Sequence, residues 1–192
     1  MRAGFADPVF DSQRVFRAVL DAMSEPGRVV TLESPPPATD PLHPATMAVA
    51  LALLDLETPL WLDAAARRAE TGAHLRFHCG CPIVDDPARA RFAIIADPAA
   101  MPELAAFDAG TDEYPDRSAT LVVQADDLTA GTGRRLSGPG IATETWLDAG
   151  GVSARFWEAM RGNHGRFPRG IDVMLTAGAS LAALPRTTWV EG

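Results

Sequence analysis

The chain has 192 residues, of which 47% are hydrophobic and 22% are charged, a balance typical of a globular protein rather than a disordered one. The length suits a single well-buried domain spanning residues 1–192. The net charge of −8 argues against a general nucleic-acid-binding surface. All 17 basic residues are arginine, so no lysine side chain exists to form a Schiff base with pyridoxal phosphate or to serve a phosphate loop.

The predicted elements alternate between helices and strands along the chain. Helices are expected at residues 13–24 (with Asp11 and Ser12 as the cap), 45–54, 63–72 and 153–162, and shorter helical segments after Asp86 and at 102–107. Strands are expected at residues 29–32, 59–62, 75–78, 92–96, 119–124 and 171–175, and Trp189 is placed in a terminal strand. This alternation, with several continuously apolar strands, predicts an α/β layered fold.

No segment of the sequence looks like a membrane span or a signal peptide. The longest apolar run, residues 47–54, is far too short to cross a bilayer. An acid and a proline, Asp7 and Pro8, interrupt the N-terminal residues before any signal-peptide core could form. The sequence therefore predicts a cytoplasmic protein without membrane contact.

The stretch Gly138-Pro139-Gly140 separates strand-type segments from the predicted helix at 153–162. Its proline fixes one φ and lacks an N–H, while each glycine allows another backbone or a ligand to come close. In one interpretation a strand feeds a helix here and directs free N–H groups at an anion. In the other the stretch is only a sharp turn between a strand and a helix. It matches neither the dinucleotide-binding glycine motif nor the phosphate loop.

Two further groups of residues carry possible chemistry. One group consists of three potential metal ligands, His78, Cys79 and Cys81, which are too close in sequence to surround one ion easily. Because no second cysteine pair exists, we expect no metal site and two reduced, partly buried thiols. His164 could act as an acid or base, or bind an anion together with Arg166 and Arg169. A helix C-terminus is also an ordinary place for histidine, and both alternatives stay open.

Six segments occur in an order that is specific when taken together. They are residues 12–17 with 21–27, 53–55, 110–115, 138–141, 167–172 and 184–188. In this order, over nearly the whole chain, they resemble the H subunit of the bacterial carbon–phosphorus lyase core complex, which extracts phosphate from organophosphonates. The segment around Cys79 belongs to no motif of that family.

The resemblance implies a three-layer α/β/α fold like the large domain of pyridoxal-phosphate-dependent transferases, without the cofactor. It also implies a homodimer that joins the other core subunits. Together they help to transfer a phosphonate to the ribose C1 of a nucleoside triphosphate with release of adenine. The later radical cleavage of the carbon–phosphorus bond belongs to another subunit, and the family supplies no established catalytic residue for this one.

Two functions follow from these expectations. The chain is an accessory subunit that shapes the complex, or it binds phosphate or a nucleotide itself and takes part in the transfer. For the second function the anion contacts would be Gly138, Gly140, Arg169 and Arg186, supported by Glu113, Tyr114 and Asp172. The aromatic residues expected at interfaces, with core packing as the alternative for each, are Trp146, Phe156, Trp157 and Trp189.

Overall fold

The computed structural model describes residues 4–191, apart from the side chain of Ala69. Within this range the chain forms α-helices that pack against a large mixed sheet, and a smaller sheet beside it. The helices are α1 (Pro8–Ser24), α2 (Pro44–Leu53), α3 (Ala69–Cys79) and α4 (Ala154–His164). None of the helices in the described range is long and apolar enough to cross a membrane.

The large sheet is mostly parallel. In spatial order its strands are β1 (Val30–Thr31), β9 (Ser180–Leu184), β8 (Asp172–Ala177), β5 (Thr120–Gln124), β4 (Phe92–Ile95), β2 (Leu60–Leu62) and β3 (Ile83–Val84). Strand β9 runs antiparallel to both of its neighbours, and the pairs from β8 across to β3 are parallel.

The small sheet is antiparallel and covers part of one face of the large sheet. Its strands in spatial order are β10 (Trp189–Glu191), β6 (Leu128–Ser137) and β7 (Thr145–Ala149). Leu136, Leu147 and Val190 from its three strands are buried in the same apolar cluster as Phe156 and Trp157 of α4. Of the two roles expected for Phe156 and Trp157, the structure therefore supports core packing and not an interface.

Side chains of the central strands alternate between the two faces of the large sheet, as the two-residue period of a strand requires. Val122 and Met174 point toward α1, α2 and α3, whereas Leu121, Val123 and Val173 point toward α4 and the small sheet. The predicted α/β class is confirmed. One outer layer is helical, but the other combines a helix with the small sheet.

Helix α1 begins at Pro8, five residues before the start that the sequence pattern indicates. The cap is Asp7, whose carboxylate accepts hydrogen bonds from the backbone N–H groups of Val9 and Phe10, each at 3.2 Å. The predicted cap residue Asp11 lies inside the helix instead, where its carboxylate accepts from the N–H of Asp7 at 2.9 Å. Pro8 is tolerated because the backbone N–H that it lacks would have no acceptor within the first turn of the helix.

The region from 63 to 80 corrects two predictions at once. Residues 63–68 form a turn rather than the start of a helix, and residues 75–78 lie inside α3 rather than in a strand. The run around Leu75 is too short for its periodicity to distinguish a strand from a helix. The segment is helical because Leu75 is buried in the core cluster that also contains residues of α2. The helix ends at Gly80, which adopts φ 69°.

Other differences concern short or exposed elements. The helical segments expected after Asp86 and at 102–107 are single 3₁₀ turns, at Pro87–Arg89 and Leu104–Ala106. Strands β3, β6, β7 and β9 are not among the strands predicted from the sequence. Gly131 and Gly133 lie within β6 beside an irregularity in its pairing with β7.

Candidate functional site

Two of the seven residues selected from the sequence, Asp172 and Arg186, meet where β8 begins and β9 ends. Because the two strands are antiparallel, with Val173 opposite Leu184, the chain returns after β9 to the first residue of β8. Asp172 and Arg186, which are 14 positions apart in the sequence, therefore become neighbours.

The side chain of Arg186 donates its hydrogen bonds to other groups of the protein. Its backbone N–H and its Nε donate to Asp172 Oδ1 at 2.8 and 3.2 Å, and one terminal nitrogen donates to Asp172 Oδ2 at 2.6 Å. The guanidinium also donates to Ser118 Oγ at 2.7 Å and to the carbonyl oxygen of Pro115. The side chains of Arg186 and Asp172 are only 14% and 16% exposed. The pair thus ties the loop before β5 to the start of β8.

The loop at residues 110–117 carries the two predicted supporting residues on its surface. Gly110 adopts φ 73°, and a Cβ there would lie 2.9 Å from the carbonyl oxygen of Pro115, so the turn requires glycine. Glu113 is exposed, and the half-exposed Tyr114 ring stacks on the guanidinium of Arg117 at 4.1 Å. Neither side chain is among the hydrogen-bond partners of Arg186 in the described part of the chain.

Arg169 also pairs with an acid from this loop. Its Nε lies 3.2 Å from Asp112 Oδ1, and both side chains are largely exposed. An exposed pair of this kind contributes little to stability. Arg169 and Arg186 therefore approach the same loop from separate places, each opposite its own carboxylate.

The Gly138-Pro139-Gly140 turn connects two strands of a hairpin, β6 and β7, and not a strand to a helix. A Cβ on Gly138 would lie 2.8 Å from the carbonyl oxygen of Thr187, and a Cβ on Gly140 would lie 2.1 Å from that of Ser24. The glycines are needed because other backbone segments pack directly on the turn. The expected strand-to-helix geometry for anion binding is wrong.

The remaining candidates fall into ordinary structural positions. The ring of His164 packs edge-on against Trp189 at 4.7 Å between centroids, and its buried Nδ1 has no hydrogen-bond partner within residues 4–191. Trp189 itself is half exposed and keeps its place as a candidate interface residue. Within the same range no three His, Cys, Asp or Glu side chains are grouped to hold a metal ion.

Both cysteines are free thiols at the end of α3. Cys79 is half-buried and its sulfur donates to the carbonyl oxygen of Ala50 at 3.6 Å, whereas Cys81 is buried. Hydrogen bonding with Cys81 and burial raise the pKa of the Cys79 thiol above its ordinary value. A raised pKa disfavours the thiolate that metal binding and nucleophilic attack require.

Two cavities lie away from the pair of Arg186 and Asp172, and the first of them is lined in part by Arg166. One, of about 490 Å³, runs along α4 beside residues 98–105 and is crossed by an ion pair between Arg155 and Glu103. The other, of about 390 Å³, lies between α3 and the strands β2 and β3. We call it the arginine pocket, and its lining residues are Leu62, Arg67, Arg68, Gly72, Arg76, Ile83 and Asp85.

The arginine pocket was not predicted from the sequence, although a signal for it was present. Arg68, Gly72 and Arg76 are spaced four residues apart, which places them on one face of a helix. The predicted elements do not reveal this spacing, because Arg68 and Gly72 fall in the predicted helix at 63–72 and Arg76 falls in the predicted strand at 75–78.

A comparison of the sequence with family models identifies the family of this chain. The model described as bacterial phosphonate metabolism protein (PhnH) matches residues 3–191. The chain belongs to the PhnH family. The resemblance stated from the sequence motifs is thereby confirmed.

Two curated relatives agree with this assignment. The chain is 40% identical over 187 residues to a Rhizobium meliloti (strain 1021) protein named alpha-D-ribose 1-methylphosphonate 5-triphosphate synthase subunit PhnH, covering 97% of this chain and 94% of the relative. It is 31% identical over 179 residues to a Stutzerimonas stutzeri protein named putative C-P lyase subunit protein HtxG, covering 93% and 85%.

Most of the motifs that carry the PhnH resemblance pack on one another. The C-terminal end of α1 at Ser24 contacts Gly140, Gly138 contacts Thr187, and Arg186 joins Asp172 to Pro115. The segments 21–27, 110–115, 138–141, 167–172 and 184–188 thus form one connected structural cluster. The remaining segment contains Asp55, whose carboxylate accepts from Thr58 Oγ1 at 2.6 Å.

Proposed function

We propose that this chain is an accessory subunit of a carbon–phosphorus lyase core complex. In that role it supports the transfer of a phosphonate to the ribose C1 of a nucleoside triphosphate with release of the base, and it does not turn over substrate alone. Its membership of the PhnH family, whose two relatives above are both named as subunits, carries the proposal. A reaction that consumes a nucleoside triphosphate would place the assembly in the cytoplasm, as the sequence predicts.

The chemistry of the motif cluster supports an accessory role. Its most buried charged pair, Arg186 with Asp172, is directed at protein groups and holds the 110–117 loop in place. Among the side chains described, we find no nucleophile hydrogen-bonded to a base that is itself oriented by a third group. The cluster therefore fits a structural function better than a catalytic one.

The outer face of α1 supports assembly with a partner. Val9, Phe16 and Leu20 are 73%, 46% and 50% exposed, and their spacing places them on one stripe of the helix. The buried side of α1, with Val15 and Val19, faces another direction. We assign the stripe to a different core subunit, because the relatives are named as subunits of a larger enzyme. The homodimer implied by the resemblance is proposed as well, without an assigned surface.

The fold supports the relationship implied by the resemblance. We propose that the large sheet and its flanking helices correspond to the large domain of pyridoxal-phosphate-dependent transferases, here without the cofactor. The mostly parallel sheet with helices on one face and α4 on the other supports this proposal. The missing lysine supports it independently.

The test of the accessory function is reconstitution. The purified chain, incubated with ATP and methylphosphonate, should release no adenine until the other core subunits are added. A Phe16→Asp, Leu20→Asp variant should fail to co-purify with those subunits, whereas Arg17→Asp, which also places an acid on the exposed surface of α1, should still co-purify. Adenine release by the chain alone would overturn the proposal. Light scattering of the isolated variant would show whether the stripe instead joins two copies of this chain.

The alternative function is direct binding of phosphate or a nucleotide by this subunit. The arginine pocket favours it, because three guanidinium groups line one cavity in an otherwise acidic protein. Equilibrium binding to the isolated chain tests this function, and its outcome is independent of whether the chain also assembles as an accessory subunit.

A further inference from the structure

The arginine pocket opens at the edge of the large sheet where two parallel strands end. Leu62 is the last residue of β2, and Asp85 follows the last residue of β3. In open α/β sheets, ligands commonly bind at the carboxyl ends of the parallel strands. At about 390 Å³ the pocket is in the lower part of the size range of small-molecule sites.

Helix α3 shapes the pocket through one glycine between two arginines. Arg68 precedes the helix, and Gly72 and Arg76 follow at intervals of four residues on the same face. A Cβ on Gly72 would lie 3.5 Å from Ile83 Cδ1 and 3.6 Å from a terminal nitrogen of Arg76. The Arg76 guanidinium therefore extends back over Gly72, and a side chain longer than a methyl group at this position would meet Arg76 or Ile83.

The three guanidinium groups differ in how they are held. Arg67 donates to the carbonyl oxygen of Val84 at 2.8 Å and pairs with Asp85, which fixes it at the rim of β3. Arg68 pairs with Asp40. The side chain of Arg76 makes no hydrogen bond or ion pair with any residue in the range 4–191.

The local balance of charge is therefore positive. Three guanidinium groups meet two paired carboxylates, Asp85 and Asp40, although the whole chain carries a net charge of −8. Arginine is suited to tetrahedral oxyanions, because its planar fork can donate two hydrogen bonds to one phosphate or phosphonate.

We propose that the arginine pocket binds the phosphate or phosphonate group of a small molecule. Arg76, whose guanidinium has no hydrogen-bond or ion-pair partner among the described residues, donates to the group directly. Arg68 contributes a second guanidinium from the other side of Gly72, while Arg67 remains tied to Asp85. Gly72 provides the room that the ligand occupies. The site goes beyond the accessory function and does not depend on it.

The test uses the full-length chain and titration calorimetry with methylphosphonate, inorganic phosphate and ATP as separate probes. An Arg76→Gln variant should weaken binding at least ten-fold. The matched control is Arg161→Gln, since Arg161 is also an exposed arginine in the last turn of a helix and forms no ion pair within residues 4–191. The control should change affinity less than two-fold. Thermal melting of both variants should match that of the parent protein.

A Gly72→Leu variant tests the shape of the pocket without a change in charge. It should abolish binding by filling the space below Arg76. If ATP competes with methylphosphonate and both lose affinity in Arg76→Gln, the ligand is the phosphate chain of a nucleotide. If methylphosphonate alone binds, the ligand is a small phosphonate. Either result supports the proposal.

Three results would overturn it: no saturable binding of any probe, affinity unchanged in Arg76→Gln, or equal competition by acetate. These results are separate from co-purification with the other core subunits, so this site and the accessory function can fail independently.

Discussion

The guanidinium of Arg186 and the carboxylate of Asp172 face each other in a two-pronged pair, with Nε 3.2 Å from Oδ1 and a terminal nitrogen 2.6 Å from Oδ2. The same guanidinium reaches Ser118 and Pro115, so one side chain joins the end of β9, the start of β8 and the loop before β5. Arg186 therefore has a structural role, because it holds together the segments 110–115, 167–172 and 184–188 of the PhnH resemblance.

The first prediction concerns the structural role of Arg186. Arg186→Lys keeps the charge but loses the planar fork, and it should lower the free energy of unfolding by about 1–3 kcal/mol. For a chain of this size that corresponds to a drop in melting temperature of about 2–12 °C.

The control for this variant is Arg169→Lys, since Arg169 pairs with Asp112 at an exposed position. It should change stability by less than about 1 kcal/mol. An Arg186→Lys protein of unchanged stability, whose assembled complex has lost activity, would instead make Arg186 an anion contact.

The second prediction concerns the hairpin turn between β6 and β7. Gly140 adopts φ 85°, and a Cβ there would lie 2.1 Å from the carbonyl oxygen of Ser24. Gly140→Ala should therefore destabilise the protein through both backbone strain and a clash with α1. Chemical denaturation of the purified variant measures the loss.

Gly131 offers a matched control, because it adopts φ 83° and a Cβ added there would have no other atom within 4 Å. Gly131→Ala should cost only the conformational strain of about 1–2 kcal/mol. The loss for Gly140→Ala should exceed this by about 2 kcal/mol or more. Equal losses would show that α1 does not pack against the turn.

The third prediction concerns the two thiols. The hydrogen bond with Cys81 and burial raise the pKa of Cys79, so at pH 8 a smaller fraction is thiolate than for an ordinary cysteine. The same hydrogen bond lowers the pKa of Cys81, but that side chain is only 1% exposed and burial shields it from the reagent. Iodoacetamide at pH 8 should therefore modify the folded protein slowly and the denatured protein at both positions.

Zinc analysis of protein purified without a histidine tag provides an independent check of the same thiols. Zinc should be far below one ion per chain. Stoichiometric zinc that disappears in Cys81→Ser would show that the thiols are metal ligands after all.

The fourth prediction concerns pyridoxal phosphate. Because the chain contains no lysine, the cofactor should form no internal aldimine with a side chain. After incubation with the cofactor and desalting, no protein-bound absorbance band should remain that shifts on addition of borohydride. Mass spectrometry of a reduced adduct on any group other than the terminal amine would contradict this expectation.

Local sequence patterns were enough to establish the fold class and the family. Strand β4 and residues 121–123 of β5 are continuously apolar, so the two-sided burial of a parallel sheet is visible in their composition. The helical period of α1 and α4 was equally clear. The order of short motifs identified the PhnH family, because that order depends on the sequence and not on how the motifs pack.

Long-range packing settled the elements whose local pattern was ambiguous. The run around Leu75 became helical because packing beneath α2 buries it, and the glycine turn became part of a hairpin because β7 pairs with β6. Likewise, Asp172 and Arg186 were both selected from the sequence, but their pairing could not be predicted. Their contact depends on the antiparallel register of β8 and β9.

The arginine pocket shows the same limit. Its residues come from the turn at residues 63–68, from α3 and from the ends of the parallel strands β2 and β3. Local sequence patterns reveal only which residues lie on one face of a helix or a strand, as in Arg68, Gly72 and Arg76. The cavity between those elements exists only once long-range packing has placed the helix beside the sheet.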